Sequence, residues 1–478
     1  SQGSHPAQQR LIFEELVAHQ VSLLSRRAYI QQIEAPRIST SRQFAKQLLS
    51  SLPFEMTNAQ KRVSKEIVQD LKLNKPMLRL VQGDVGAGKT LVAGVAACHV
   101  LEEGWQVALM APTEILAEQH YLNFKKWFEP LGLSVSWLSG KQKGKARAAA
   151  EQAIVDGTAH LVVGTHALFQ DNVRFAKLGL VIIDEQHRFG VDQRLALRNK
   201  GAQNMTPHQL VMTATPIPRT LAMSAYGDLD TSVIDELPPG RTPIQTVTIP
   251  LDRREEVLQR IASNCLEGKQ AYWVCTLVEE SETLDAQAAE ATYLEIKERF
   301  PELNIGLVHG KMKADEKQAV MQQFKANELQ LLIATTVIEV GVDVPNASIM
   351  VIENAERLGL SQLHQLRGRV GRGAKASFCA LLYKSPLSQN GQERLRIMRE
   401  TNDGFLIAEK DLEIRGPGEL LGTKQTGDMG FRVAKLERDD HLLNQAHFVA
   451  AQILKDYPQN AEALLKRWLP EAPRYAYV

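Results

Sequence analysis

The amino-acid sequence predicts an α/β protein in which two tandem lobes are each built on a parallel sheet. Short apolar runs alternate with helical patterns, and the runs form two series separated by a stretch rich in Pro and Gly. Near-continuous apolar strands separated by helices are typical of a parallel sheet buried on both faces. The length of 478 residues also exceeds one ordinary core, since domains hold roughly 100–200 residues each.

The elements follow in chain order. The apolar residues of 6–34 recur at helical spacing and predict one or two amphipathic helices. The first series of predicted strands covers Met77–Val81, Val107–Ala111, Val135–Leu138, Leu161–Val163, Leu178–Ile183 and Leu210–Met212. The second covers Thr246–Ile249, Ala271–Leu277, Ile305–Val308, Leu329–Ala334, Ile349–Ile352 and Phe378–Tyr383.

Residues 235–243, DELPPGRTP, are typical of a linker because Pro limits helical continuation. Residues 402–430 combine Gly and Pro with many charges and predict an elaborate loop or hairpin, whereas 442–469 return to helical spacing. We therefore predict an N-terminal helical linker (1–56, with a tag remnant at 1–4), a first lobe (57–234), a linker (235–245), a second lobe (246–400), a hairpin (401–435) and a helical tail (436–478).

Composition excludes several classes of protein. With 44% hydrophobic and 23% charged residues the chain is ordinary for a soluble protein, and no apolar run approaches the roughly 18 residues that span a bilayer. A net charge of +1 argues neither for nor against nucleic acid as a partner. The four cysteines are scattered without a C-x-x-C pair, which indicates a reducing compartment and no zinc site.

Residues 83–90, GDVGAGKT, match the phosphate-binding pattern G-x-x-x-x-G-K-[ST]. The loop lies between a predicted strand and a predicted helix at 91–101, where backbone N–H groups and the helix N-terminus bind anions. We expect Lys89 to neutralise the β/γ-phosphates and Thr90 to hold Mg²⁺. The predicted nucleotide-binding residues of this loop are Gly83, Asp84, Val85, Gly86, Ala87, Gly88, Lys89 and Thr90.

Two carboxylates follow the apolar run that ends at Ile183. Asp184 is predicted to hold Mg²⁺ at the carboxyl end of its strand. Glu185 is predicted to orient and deprotonate the attacking water. Adjacent carboxylates are costly unless a metal shares the site, which favours a role in catalysis.

A third component lies in the second lobe, where residues 365–372 read QLRGRVGR. The spacing of Arg369 and Arg372 predicts that they project from one face of a helix. As arginine fingers they would stabilise charge on the transferring γ-phosphoryl group. Because the loop belongs to lobe one and the arginines to lobe two, hydrolysis is expected to require closure of the lobes.

The order of these segments resembles helicase superfamily 2, whose lobes are RecA-like. The match spans residues 57–373 and rests on MTNAQ, GDVGAGKT, APTEILAEQH, VVGTHAL, DEQH, TATP, TTVIEVGVD and QLRGRVGRG. Within that superfamily, IDEQHRFGVDQR (183–194) and DLEIRGPGELLGTKQTG (411–427) resemble the RecG family of bacterial branch-migration translocases. The second string resembles the TRG hairpin, which RecG shares with the coupling factor Mfd.

The resemblance assigns further roles residue by residue. It implies that Gln60 recognises adenine, that Gln365 belongs to the catalytic motif of the two arginines, and that Gly341 and Asp343 reach the nucleotide. It also implies a set of residues that grip DNA or couple hydrolysis to movement. These are Pro112, Thr113, Glu114, Gly164, Thr165, His166, Gln186, His187, Thr213, Thr215, Thr335, Thr336, Arg415 and Gln425.

The resemblance implies an ATP- and Mg²⁺-dependent translocase that acts on double-stranded and branched DNA, namely forks and Holliday junctions, in repair and recombination. It implies a monomeric cytoplasmic protein of the bacterial nucleoid, with single-strand-binding protein as a further partner. RecG proteins carry an OB-like wedge domain before the motor. Nothing before Pro6 supplies it, so the chain is expected to be the motor portion.

Two alternatives remain open from the sequence. The first is an Mfd-like translocase with RNA polymerase as its partner, against which only DEQH and the tail argue. The second is a nucleotide-gated clamp that binds DNA without moving along it. A triplex-displacement assay separates these classes, since a clamp hydrolyses ATP yet displaces no strand.

Overall fold

The structure, a computed structural model, divides the chain into two compact units. One comprises residues 1–236 and 415–478, and the other residues 237–414. The described residues are 5–39, 42–84, 87–170, 172–185, 200–201, 204–213, 217–218, 222–224, 226–237, 241–276, 282–335, 344–373, 375–415 and 431–471.

The first unit is built on a seven-stranded sheet with the order β3-β4-β2-β5-β6-β1-β7. All of its neighbouring strands pair in parallel. The strands are β1 (Leu78–Gly83), β2 (Gln106–Met110), β3 (Val135–Leu138), β4 (Leu161–Gly164), β5 (Leu178–Glu185), β6 (His208–Thr213) and β7 (Asp230–Ile234). The predicted parallel sheet is confirmed, but β7 was not predicted because this edge strand alternates buried and partly exposed residues.

Six helices of this unit precede β5 in the chain. They are α1 (Pro6–Gln31), α2 (Gln43–Ser51), α3 (Asn58–Leu71), α4 (Lys89–Glu102), α5 (Glu114–Phe128) and α6 (Gly144–Asp156). Helix α3 begins with a capping box in which Thr57 and Gln60 bond each other's backbone N–H groups. Helix α4 is buried along almost its whole length, which places the residues that follow the nucleotide loop in the core.

The N-terminal segment forms one continuous helix, α1, and the end of the chain packs against it. Both carboxylate oxygens of the buried Glu15 accept backbone N–H groups, from Arg432, from Val433 at 2.9 Å and from Ala434 at 2.7 Å. Glu14 accepts the indole N–H of Trp468 at 3.0 Å. The tail therefore belongs to the first unit.

A buried histidine makes the stability of this unit depend on pH. His208 accepts the N–H of Met77 at Nδ1 (2.8 Å) and donates from Nε2 to the carbonyl of Pro36 (2.7 Å), so its ring is neutral. Burial lowers its pKa from 6.5 to about 4, although the Pro36 carbonyl and Asp70 oppose the shift. Because only the unfolded chain takes up this proton in that window, stability falls as the pH drops from 6.5 towards 4.

We expect protonation of His208 in the unfolded chain to lower the free energy of unfolding by about 3 kcal/mol across that window. Urea denaturation at a series of pH values measures it. The His208→Gln variant is expected to be less stable at pH 7.5 but to lose less stability on acidification, whereas the exposed His441→Gln control follows the wild type. An unchanged pH dependence in His208→Gln would contradict the assignment.

The second unit is built on a six-stranded sheet with the order β10-β11-β9-β12-β13-β8, again with parallel pairing throughout. Its strands are β8 (Gln245–Pro250), β9 (Gln270–Cys275), β10 (Ile305–Val308), β11 (Leu331–Thr335), β12 (Ala347–Glu353) and β13 (Phe378–Tyr383). Its helices are α7 (Arg254–Leu266), α8 (Glu282–Arg299), α9 (Ala314–Lys325), α10 (Leu360–Arg367), α11 (Gln389–Glu400) and α12 (Gly404–Arg415). Every strand of the second predicted series is present.

The expectation of a loop or hairpin over 402–430 is wrong for its first part, because α12 is helical from Gly404 to Arg415. Asp403 caps this helix by accepting the N–H groups of Phe405 at 3.0 Å and Leu406 at 3.4 Å. Most of the glycines that prompted the expectation follow Arg415, in residues 416–430, which lie outside the described residues.

The tail that follows comprises helices α13 (Leu436–Asp439), α14 (Leu443–Asp456) and α15 (Pro458–Trp468). The helical pattern predicted for 442–469 is confirmed. Within the described ranges, no helix combines the length and the apolar character that crossing a membrane requires.

Candidate functional site

The nucleotide-binding loop connects the carboxyl end of β1 to the first turn of α4. Gly83 is the last residue of β1, and Lys89 and Thr90 are the first two residues of α4. Val85 and Gly86 lie outside the described residues. The strand and the helix on either side of the loop follow one another as the sequence predicts, and a helix N-terminus at such a position favours the binding of anions.

The ammonium group of Lys89 lies over this loop. Its Nζ donates to the carbonyl of Gly83 at 2.8 Å and to the carbonyl of Asp84 at 3.1 Å. The side chain is thus folded back over its own turn, and its predicted role at the phosphates stays a prediction. A phosphate group is a stronger acceptor for an ammonium group than a neutral carbonyl is.

Gln60 supports the loop from helix α3. Its Nε2 donates to the carbonyl of Ala87 at 2.9 Å, while its Oε1 accepts the N–H of Thr57 at 2.9 Å. Gly88 has a φ of +82°, and a Cβ atom there would lie 2.0 Å from Nε2 of Gln60. The glycine is therefore required both by its backbone conformation and by the close approach of Gln60.

Asp184 lies at the same edge of the sheet, since β5 and β1 run parallel with β6 between them. Its Oδ2 is 2.7 Å from Nε2 of His120 on helix α5. Glu185 is the last residue of β5, and its predicted catalytic role stays a prediction. The carboxylate of Asp184 and the hydroxyl of Thr90 are oxygen ligands of the type that Mg²⁺ prefers. The donor set therefore fits the metal that the sequence predicts.

A buried glutamine connects the nucleotide loop to the segment that follows β6. Gln82 directly precedes Gly83 and is 2% exposed. Its Oε1 accepts the N–H of Ile217 at 3.1 Å. Thr213, a predicted coupling residue, ends β6 and pairs with Gln82 across the sheet, whereas Thr215 lies outside the described residues.

The predicted arginine fingers lie beyond a helix and not on one. Helix α10 ends at Arg367, and Gly368 is its C-cap. Arg369 and Arg372 follow in a turn in which Gly371 has a φ of +82°. The prediction of a shared helix face is therefore wrong, because the glycines at 368 and 371 end the helix and turn the chain.

The arginines of this stretch differ in their surroundings. Arg367 is 1% exposed and donates to the carbonyls of Met398 and Thr401 at 2.6 and 2.9 Å. Arg372 is half-buried, and its Nε donates to the carbonyl of Gly368 at 3.2 Å. Burial, assisted by the charge of Arg241, lowers the pKa of Arg372 to about 10. Arg372 therefore remains a cation at neutral pH. Its surroundings disfavour a further positive charge and favour the binding of an anion.

Tyr272 on β9 lies close to the same cations. Burial raises the pKa of its hydroxyl to about 12, and the charges of Arg369 and Arg372 oppose this shift. Gln365, on the last turn of α10, is partly buried. The second unit thus presents a cluster of guanidinium groups supported by the turn after α10.

Three family models match the chain in the order of these parts. They are the DEAD/DEAH box helicase over residues 57–224, the helicase conserved C-terminal domain over 253–374, and domain 3 of the ATP-dependent DNA helicase RecG, C-terminal part, over 401–469. The ATP-dependent DNA helicase RecG of Escherichia coli K12 is 63% identical over 99% of this chain and 69% of its own length. The chain belongs to the RecG family.

Two further comparisons agree with membership of the RecG family. The RecG helicase of Haemophilus influenzae is 60% identical over 99% of this chain and 69% of its own length. A structure of RecG bound to a three-way DNA junction superposes with a TM-score of 0.74 at 42% identity, over 91% of this chain and 57% of that one. The chain thus spans a little over half of that RecG structure. RecG proteins are ATP-dependent DNA helicases, and this chain carries their two helicase domains.

The DNA-contacting residues that the RecG resemblance implies in the first unit lie at strand and helix ends. Thr113 is exposed and caps α5 by accepting the N–H of Leu116 at 3.3 Å. Glu114 accepts the N–H of Gly140 at 2.9 Å and the hydroxyl of Ser139 at 3.2 Å. Thr165 is buried and His166 exposed just after β4. Pro112 and Gly164 also follow or end strands of this sheet.

The remaining coupling residues of the RecG motor divide into described and undescribed positions. Thr335 ends β11 and is buried, and Arg415 is the last residue of α12. Outside the described residues lie Gln186, His187, Thr336, Gly341, Asp343 and Gln425. Their roles, like those of the described coupling residues, stay predictions.

Sequence reasoning missed the surroundings of three residues that the structure describes in or near the predicted motifs. His120 is recognisable as the last residue of APTEILAEQH, but nothing in its spacing indicates Asp184 as its partner. Gln82 precedes the nucleotide loop without belonging to its pattern. Arg367 was grouped with the other arginines of QLRGRVGR, although its burial separates it from them.

Proposed function

We propose that this chain is the ATP-driven motor of a RecG-type translocase that acts on double-stranded and branched DNA. The observation that carries the proposal is the combination of a nucleotide loop with Lys89 over its carbonyls and the arginine turn after α10. The RecG relative bound to a three-way DNA junction supports branched DNA as the substrate. Forks and Holliday junctions are the branched substrates that we propose.

Each part has a distinct task in hydrolysis. Lys89 and the N-terminus of α4 bind the phosphates. Thr90 and Asp184 would hold Mg²⁺, which would supply neutralising charge at the phosphates. Glu185 orients the attacking water and takes up its proton. Arg369 and Arg372, with Gln365 beside them, stabilise the charge that develops on the transferring phosphoryl group. Gln60 recognises the adenine base.

DNA is gripped without regard to sequence. Thr113 offers an exposed hydroxyl at the start of α5, and such groups bind phosphate oxygens and do not read bases. Gln82 connects the nucleotide loop with the segment after Thr213 by one hydrogen bond. This hydrogen bond therefore connects the phosphate-binding loop to the segment of a predicted coupling motif.

Displacement of the third strand from a DNA triplex tests the proposal. Wild-type protein is expected to displace the strand only when ATP is present, and Lys89→Ala is expected to leave the triplex intact. ATP hydrolysis without displacement would support a clamp that does not move. Stable capture of RNA polymerase would support the Mfd-like alternative, which the RecG domain 3 match does not favour.

A further inference from the structure

The contact between His120 and Asp184 joins a helix to the predicted metal carboxylate. Nε2 of His120 lies 2.7 Å from Oδ2 of Asp184, and the two side chains are 11% and 18% exposed. The residues are 64 positions apart in the sequence. Such a short hydrogen bond, largely shielded from water, restricts the orientation of the carboxylate strongly.

Helix α5 carries His120 between two buried residues. Ala117 and Phe124, which lie about one turn to either side, are both fully buried. The ring of Phe124 lies 6.3 Å from the imidazole, centroid to centroid. Asp184 is held in turn by β5, which pairs with β2 and β6 on its two sides. Both partners of the hydrogen bond therefore sit on rigid elements.

We propose that His120 is a positioning residue for the metal site: its Nε2–H donates to Oδ2 of Asp184 and holds that carboxylate in the orientation in which it receives Mg²⁺ with the nucleotide. The inference rests on the proposed role of Asp184. Partners that orient a metal-binding side chain typically contribute 10- to 100-fold to metal affinity or activity. In this role His120 acts only through Asp184.

Two substitutions separate positioning from packing. His120→Phe keeps an aromatic ring in the same pocket but removes the donor, whereas His120→Gln keeps an N–H donor at a similar distance from the backbone. Leu122→Ala is the matched control, since Leu122 lies on the same helix and is 57% exposed. Asp184→Asn tests separately whether this carboxylate holds the metal.

The main readout is Mn²⁺ binding in the presence of ADP, measured by electron paramagnetic resonance without any turnover. The second readout is the Mg²⁺ concentration that half-saturates ATP hydrolysis. The third readout is the melting temperature without metal and nucleotide. His120→Phe is expected to weaken Mn²⁺ binding about tenfold or more. Its melting temperature should stay close to that of Leu122→Ala, and His120→Gln should restore most of the affinity.

Wild-type Mn²⁺ affinity in His120→Phe would overturn the inference if Asp184→Asn weakens binding. Weak binding in His120→Phe that accompanies a lowered melting temperature, without rescue by His120→Gln, would show a structural role only and would also overturn it. If Asp184→Asn itself binds Mn²⁺ like the wild type, the proposed role of Asp184 fails, and the inference fails with it.

Discussion

Replacement of Arg372 by alanine is expected to lower the turnover number for ATP hydrolysis roughly 10³-fold, the lower end of what arginine fingers contribute. The substitution removes a cation from the turn after α10, where burial and Arg241 already lower the pKa of Arg372 to about 10. Because a finger acts mainly on the transition state, the KM for ATP should change little. Steady-state hydrolysis in saturating duplex DNA measures both constants.

Arg253→Ala is the control for this experiment. Arg253 is 59% exposed and pairs with Glu256, which is 67% exposed. Its loss should leave turnover within about twofold, because surface ion pairs have small effects. Arg372→Lys is expected to recover only part of the activity, since an ammonium group lacks the planar fork of a guanidinium group. Turnover of Arg372→Ala within tenfold of the wild type would exclude the assigned role.

Replacement of Arg367 by leucine is expected to destabilise the second unit by roughly 3–4 kcal/mol. The guanidinium group is buried, and it donates to the carbonyls of Met398 and Thr401 and to the hydroxyl of Thr246. Leucine leaves the two carbonyls without this donor in a site closed to water. Chemical denaturation gives the free energy, and hydrogen exchange of peptides from β8 and α11 localises the loss.

Arg253→Leu serves as the reference, and its free energy of unfolding is expected to change by less than about 1 kcal/mol. A change of that size in Arg367→Leu would contradict the structural role. The two arginine experiments also separate stability from catalysis. Arg367→Leu should unfold more readily, whereas Arg372→Ala should fold normally and lose hydrolysis.

Much of the fold was predictable because parallel strands are buried on both faces and leave continuous apolar runs in the sequence. Edge strand β7 escaped detection since one of its faces is partly exposed, and its sequence DTSVI begins with polar residues. Helix α12 was not predicted because nearby glycines indicated a loop, and most of these glycines follow the helix. Its cap at Asp403 was the available signal.

The nucleotide loop was predictable because its pattern is local, with Gly83, Lys89 and Thr90 within a single octet. The contact between His120 and Asp184 was not, because it joins a helix to a strand end 64 residues away. The binding of Glu15 to the backbone at 432–434 spans over 400 residues. The different surroundings of Arg367 and Arg372 likewise depend on residues outside QLRGRVGR, in helix α11 and in the predicted linker. The spacing within QLRGRVGR does not reveal these contacts.

We propose that hydrolysis of ATP at the loop of Lys89 drives a DNA motor. The most direct measurement is the rate of ATP hydrolysis by wild type and Lys89→Ala, each with and without branched DNA. We expect DNA to stimulate the wild type and Lys89→Ala to show no turnover above background, although its fold is intact by circular dichroism. Near-wild-type, DNA-stimulated turnover in Lys89→Ala would show that the loop of Lys89 does not drive the motor.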